Sequence, residues 1–129
     1  MAEITLELAA ARYVSLETFR RSGIAVAPPV WIARSGSRYY VFSEGAAGKI
    51  KRLRNNSRAR LASCDMRGAV SGAWIESTAQ VTNDAKSIAS AYIALRDKYG
   101  WQMKAGDFFS KLTGRYVRRA MIEIEINDD

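Results

Sequence analysis

Six cationic side chains follow a loop of small residues, in the stretch "EGAAGKIKRLRNNSRAR" (residues 44–60). Small residues let backbone N–H groups approach a ligand closely, and a helix that starts near Gly48 directs its free N–H groups at the same point. Lys49 adds a full positive charge in the first turn, where a cation is unfavourable unless an anion compensates it. We therefore predict a phosphate site here, with a solvated basic helix face as the alternative.

Other chemistry is limited by composition. The sequence has no histidine and one cysteine, so it lacks imidazole catalysis, Ser-His-Asp or Cys-His arrangements and an internal disulfide. We predict no metal site, and because no two carboxylates stand out as an acid–base pair we name no catalytic residue.

The length of 129 residues suits a single domain, residues 1–129, with a core of ordinary size. The formal net charge of +7 favours an anionic partner without choosing one. Glu3 and Glu7 interrupt the N-terminal apolar residues, which is not typical of a signal peptide, and no apolar stretch reaches about 18 residues. We expect a cytoplasmic protein that has no membrane partner.

Alternating and β-branched patterns predict strands over most of the chain. The predicted strands are residues 13–19, 25–34, 38–43, 59–66, 73–82 and 116–126. In the second of these, Pro28 and Pro29 indicate an edge, a bulge or a break. In the last predicted strand, Ile122, Ile124 and Ile126 share one face, and Glu123 and Glu125 are expected to face solvent. Helices are predicted at residues 3–11, 48–56, 85–100 and 106–114, the third with Asp84 as N-cap and Gly100 as its stop.

This order of elements predicts a mainly β protein with short helices, built as a small antiparallel barrel. The stretches "TFRRSGIAVAPPVWIA", "YYVFSEGAAGKIKRLRNNSRARLASCD" and "GAWIESTAQV", taken in order, resemble the pyridoxamine 5'-phosphate oxidase-like split-barrel proteins. Within that family the chain is most similar to the flavin/deazaflavin-dependent oxidoreductases. The resemblance implies the FMN-binding-protein-like split barrel and covers about residues 13–82 well.

The resemblance also implies a homodimer with the cofactor in a groove at the subunit interface. By position, Ser43, Gly48 and Lys49 match the residues that hold the cofactor phosphate, with Lys51 and Arg52 as helpers. The strand residues Pro29, Val30 and Trp31 match those that border the ring. Trp74 matches a position where the partner's strand approaches.

Several residues depart from the family pattern. FMN-dependent oxidases commonly have an arginine where this chain has Val26 or Ala27, and the substrate-binding histidine has no counterpart. We therefore do not expect true pyridoxamine 5'-phosphate oxidase activity. The excess of cations would suit the acidic tail of coenzyme F-420, so FMN and F-420 both remain open as the cofactor.

Three function classes follow. The favoured one is an oxidoreductase that transfers a hydride between FMN or coenzyme F-420 and a small-molecule redox substrate, because the cofactor would supply the chemistry that no side-chain constellation offers. The second is a non-catalytic FMN-binding protein on the same fold. The third is a basic nucleic-acid-binding barrel, which we regard as the least favoured because few aromatic residues lie among the cations.

Overall fold

A computed structural model describes residues 7–45, 47–114 and 118–127 of the chain. Its eight strands are β1 Tyr13–Phe19, β2 Ala25–Val26, β3 Pro29–Val30, β4 Ala33–Ser35, β5 Arg38–Glu44, β6 Arg58–Cys64, β7 Ile75–Thr82 and β8 Arg119–Ile126. Three helices accompany them: α1 Gly48–Asn55, α2 Ala85–Tyr99 and α3 Trp101–Leu112. Residues 7–10 are helical as well. Among these helices, none combines the length and the hydropathy that crossing a membrane requires.

All strands pair antiparallel in one sheet, in the order β2-β1-β6-β7-β8-β5-β4, with β3 also paired to β1. Residues 25–35 join the two ends of this order, because β2 and β3 pair with β1 whereas β4 pairs with β5. Of the edge, bulge or break expected at Pro28 and Pro29, the structure shows a break: residues 27–28 separate β2 from β3, and both pair with β1. The change of partner to β5 follows at residues 31–32. The predicted antiparallel barrel architecture is therefore confirmed.

The barrel encloses a core of aliphatic side chains. It is built mainly from the inward faces of β1, β5, β6 and β8, with Val14, Leu16, Val41, Leu61, Ile122 and Ile124 fully buried. Helix α1 adds Ile50 and Leu53, the two apolar residues of its otherwise polar sequence. Burial of these two side chains fixes which face of α1 points away from the core, and hence where its cations lie.

A second apolar cluster lies on the outer face of the sheet, under α2 and α3. It contains Ala91, Leu95, Tyr99 and Met103 of the helices, packed against Ala33, Tyr40 and Met121 of the strands. This packing corrects one expectation, because Glu123 is only 7% exposed rather than solvent-facing. Its carboxylate accepts hydrogen bonds from Arg38 (3.0 Å) and from the Tyr40 hydroxyl (3.0 Å).

The ends of α2 agree with the sequence prediction. The Asp84 carboxylate accepts a hydrogen bond from the Ser87 N–H (2.9 Å) and caps the helix, as expected for an N-cap aspartate. Gly100 ends the helix with φ 56°, a left-handed conformation that favours glycine. Helix α3 starts at the next residue, so it is longer than the predicted 106–114 segment.

Tyr99 connects α2 to the segment between β3 and β4. Its hydroxyl oxygen accepts a hydrogen bond from the Ile32 N–H (3.0 Å), and the hydroxyl donates to the Arg12 carbonyl (2.9 Å). Burial raises the pKa of this phenol to about 12. The neighbouring Lys98 ammonium donates to the Ile32 carbonyl (2.6 Å), so both polar groups of Ile32 have partners from α2.

We expect Tyr99→Phe to lower the free energy of unfolding by about 1–3 kcal/mol, because it leaves the buried Ile32 N–H without its acceptor. Urea unfolding measured by circular dichroism tests this. Tyr13→Phe is the matched control, since Tyr13 is half-buried and its hydroxyl forms no hydrogen bond with any described residue. Equal losses in the two variants would contradict the assigned role of Tyr99.

Candidate anion-binding site

The turn between β5 and α1 is held close to the start of β8. The Gly45 N–H donates to the Arg118 carbonyl (2.7 Å), and a Cβ atom on Gly45 would lie 2.8 Å from that same oxygen. Only a residue without a side chain allows this approach. The contact places the first turn of α1 beside the end of β5, where Ser43 lies.

Five residues then come together, and we call them the Lys49 cluster: Thr18, Ser43, Gly48, Lys49 and Arg52. The Lys49 ammonium donates to Ser43 Oγ (3.1 Å), and Arg52 Nε donates to Thr18 Oγ1 (2.6 Å). Arg52 reaches back along the helix, since a Cβ on Gly48 would lie 2.7 Å from its Nη1. The structure thus assembles four of the residues predicted from the sequence.

Positive charge in this cluster is not neutralised by neighbouring acids. Burial lowers the pKa of Lys49, and the nearby Arg52 cation lowers it further. Burial also lowers the pKa of Arg52, with a smaller effect from Arg20. Within the described ranges, no carboxylate forms an ion pair with Lys49 or Arg52.

The start of α1 adds to this positive potential. Its first turn contains no acidic residue, and Ala47 offers no side-chain cap to the free N–H groups. Several arginines elsewhere in the fold do have acidic partners: Arg38, Arg58, Arg60, Arg96 and Arg119 all form ion pairs. The Lys49 cluster is therefore a local concentration of donors and cations that suits a phosphate or carboxylate group.

The remaining predicted residues lie apart from this cluster. Lys51 is exposed on another face of α1. Pro29 and Val30 form β3 and pair with β1. Trp31 stacks on Tyr99, with centroids 4.5 Å apart and planes inclined by 9°. Its ring also meets the edge of Phe42 (6.5 Å). Because Phe42 and Ser43 are consecutive strand residues, their side chains lie on opposite faces of β5.

Trp74 belongs to a different group of side chains. The Arg60 guanidinium lies 5.0 Å from its ring centroid and forms an ion pair with Glu17. Glu17 and Thr18 are consecutive in β1, so this group and the Lys49 cluster are on opposite faces of that strand. Within one chain, the sheet thus separates Trp31 and Trp74 from the predicted phosphate-binding residues.

Sequence reasoning missed Thr18 and Arg20 as members or neighbours of the site. Thr18 belongs to a strand that pairs with β6, and it meets Arg52 only after the barrel forms. No local pattern marks this contact. The adjacent cations Arg20 and Arg21, at the end of β1, are the one signal in the sequence that points to the same region.

No family model matches the sequence, and no curated protein is similar to it. Solved structures do match. The chain aligns over 98% of its length with 93% of a candidate pyridoxamine 5'-phosphate oxidase from Listeria innocua, with a TM-score of 0.66 and 13% identity. It also aligns over 99% of its length with 90% of the heme storage protein HutZ from Vibrio cholerae (TM-score 0.72, 12% identity).

The chain has the split-barrel fold. An FAD-binding protein from Mesorhizobium loti shares it over 98% of this chain and 87% of its own (TM-score 0.64, 18% identity). So does an F420 reductase, over 95% of this chain and 92% of its own (TM-score 0.61, 15% identity). At these identities the similarity establishes the shared fold, which confirms the predicted fold class and its resemblance to the oxidase-like split barrels.

Inorganic phosphate should stabilise the protein through the Lys49 cluster, because a ligand that binds only the folded state raises its stability. We expect phosphate to raise the melting temperature relative to chloride at equal ionic strength. Lys49→Met should weaken phosphate binding by about tenfold or more, since it removes a charged donor. Lys51→Met removes the same charge from the same helix and should leave the phosphate-induced rise in melting temperature unchanged. A shift that both variants lose equally would indicate diffuse charge and no local site.

Proposed function

We propose that the chain is a flavin- or deazaflavin-dependent oxidoreductase that holds the phosphate of FMN or coenzyme F-420 at the Lys49 cluster. The observation that carries this proposal is the half-buried pair Lys49 and Arg52 at the start of α1, with no carboxylate partner among the described residues. The shared fold of an FAD-binding protein and an F420 reductase supports the choice of ligand class.

The donors in the cluster fit a phosphate group. Ser43 supplies a hydroxyl, Lys49 an ammonium and Arg52 a guanidinium, and the uncapped first turn of α1 supplies N–H groups. Gly48 leaves room for the Arg52 guanidinium to fold back to the start of the helix because it has no Cβ atom. These residues bind and orient the cofactor, and a bound flavin or deazaflavin supplies the site of hydride transfer.

Further cations favour a ligand with more than one negative group. Arg20 lies near Arg52, and Arg21 donates to Asn55 Oδ1 (3.2 Å) at the far end of α1. Lys51 and Arg54 are exposed along the same helix. An acidic tail such as that of coenzyme F-420 would find complementary charge along this surface, whereas FMN uses only the cluster itself.

A homodimer fits the separation of the predicted residues. Trp31 and Trp74 lie on the faces of β5 and β1 that are opposite to Ser43 and Thr18. A cofactor whose phosphate is held by Lys49 in one copy can meet an aromatic side chain of a second copy without passing through the sheet. We therefore propose that the site is shared between two subunits, with Trp74 contributed by the partner.

Two alternatives on the same fold are a non-catalytic FMN-binding protein and a heme-binding protein. Binding without turnover would leave a bound cofactor that no redox substrate reduces or oxidises. The similar protein HutZ stores heme, and for this chain a heme ligated by imidazole is disfavoured because the sequence has no histidine.

Fluorescence titration with FMN and, separately, with F-420 tests the proposal at moderate and at high salt. We expect one of them to bind with little salt dependence, and Lys49→Met to weaken that binding by about tenfold or more, because a charge-assisted contact to phosphate is lost. Lys51→Met should change FMN binding by less than about threefold, since an exposed charge contributes little. Binding to neither cofactor, together with steeply salt-dependent binding to single-stranded DNA, would favour the nucleic-acid alternative.

Subunit mixing tests the shared site. Lys49→Met and Trp74→Ala should each bind the cofactor weakly, but in a mixed dimer one of the two sites carries neither substitution. Random exchange makes about half of the dimers mixed, so about a quarter of all sites should regain wild-type affinity. Equilibrium dialysis of the exchanged mixture measures this fraction. If exchange is verified by mass spectrometry and no affinity is recovered, both residues act within one chain. If Trp74→Ala alone binds as the wild type does, Trp74 has no role.

A further inference from the structure

Helix α3 presents an apolar stripe to solvent. Trp101, Phe108 and Leu112 are 75%, 62% and 71% exposed, respectively. With Ala105 they follow a spacing of four, three and four residues, which places them in one line along an α-helix. Phe109 is exposed beside this line and packs edge-to-face on Phe108 at 5.5 Å. An apolar line of this length on a folded surface is typical of an interaction site.

The opposite face of α3 is fixed to the protein, so the stripe cannot be the face that packs inward. Met103 is buried in the second apolar cluster. Asp107 is also buried, and its carboxylate accepts hydrogen bonds from Arg119 (2.7 Å) and Arg96 (3.2 Å). These contacts set the rotation of the helix and leave the stripe outward.

The outer surface of α3 carries positive charge. Lys104 and Lys111 are exposed and lie on one flank of the stripe, seven residues apart. The one carboxylate in the sequence of α3, Asp107, points inward. An open concavity of about 510 Å³ lies on this side of the helix, lined by Arg96, Lys104, Asp107, Phe108 and Lys111. Three cationic residues thus line a notch that opens beside the apolar stripe, together with Asp107, whose carboxylate is paired with Arg96.

We propose that α3 docks the protein on a membrane surface that contains anionic lipids. A helix with tryptophan, phenylalanine and leucine on one side and lysines next to them lies in the plane of the interface, with its apolar side among the upper acyl chains. Lys104 and Lys111 then reach the lipid phosphates through their flexible stems. This surface contact needs no membrane-spanning segment, and it replaces the expectation of no membrane partner, which rested on the lack of such a segment.

A second copy of the chain fits this face less well. A helix of 12 residues is about 18 Å long, and its stripe is small beside the ~800 Å² per partner of a stable protein interface. In an antiparallel two-fold pair of α3 helices, equivalent flanks face each other. Lys104 of one copy would then lie next to Lys111 of the other, which is unfavourable. Lipid binding has no such conflict, because both lysines meet negative charge.

Vesicle flotation of the full chain tests the proposal. We expect binding to vesicles of phosphatidylcholine mixed with phosphatidylglycerol, little binding to phosphatidylcholine alone, and weaker binding as salt rises. Phe108→Ser should weaken binding about tenfold by removing an inserted ring, and Lys104→Ala about fivefold by removing one surface cation. Met66→Ser is the matched control, because Met66 is 67% exposed outside α3, and it should bind as the wild type does.

Three results would overturn the proposal: equal binding to both kinds of vesicle, no vesicle binding by the wild type, or wild-type affinity of Phe108→Ser for anionic vesicles. A concentration-dependent dimer that Phe108→Ser abolishes, seen by sedimentation without lipid binding, would assign the stripe to a second copy instead.

Tryptophan emission gives an independent readout. Its blue shift on adding anionic vesicles should disappear in Trp101→Phe and persist in Trp74→Phe. Circular dichroism confirms that each variant is folded, and the result does not depend on cofactor binding.

Discussion

Residues 25–35 pair in short pieces with two strands instead of along one: β2 and β3, which are separated at Pro28, both pair with β1, whereas β4 pairs with β5. The segment leaves β1 at residues 31–32 and then reaches β5, which joins the two ends of the strand order. The enclosed core of aliphatic side chains depends on that closure, and so does the position of α1, which inserts Ile50 and Leu53 into the core. The Lys49 cluster also depends on this closure, because Thr18 of β1 and Ser43 of β5 both accept hydrogen bonds from side chains of α1.

Charge is distributed unevenly over this framework. Around the sheet and under α2 and α3, five arginines are paired with glutamates or with Asp107, so their charge is largely compensated. At the start of α1 the protein instead keeps Lys49 and Arg52 close together and partly desolvated. Such an arrangement costs stability in the free protein and is typical of sites that are optimised for a ligand. The rest of the fold tolerates the cost because its two apolar clusters do not depend on these side chains.

Much of this architecture follows from local sequence patterns. Alternation located the strands, Asp84 and Gly100 marked the ends of α2, and the small-residue loop before Lys49 pointed to the cluster. Contacts between distant elements could not be predicted from the sequence, because residues such as Thr18 and Arg52 meet only after the barrel has formed. Glu123 alternates with isoleucines in the sequence, which predicts that it faces solvent. In the structure it is buried, because α2 and α3 cover the outer face of the sheet on which it lies. The start of α3 was missed because Trp101 directly follows the glycine that ends α2, with no polar cap between the two helices.

The two glycines that border the turn before α1 differ in how much sequence variation they allow. A methyl group at Gly45 would meet the backbone carbonyl of Arg118, which cannot move without shifting the start of β8. A methyl group at Gly48 would meet only the end of the Arg52 side chain, which has other rotamers. A homologue that keeps this backbone therefore needs glycine at position 45. A side chain at position 48 would instead redirect the Arg52 guanidinium and leave the barrel unchanged.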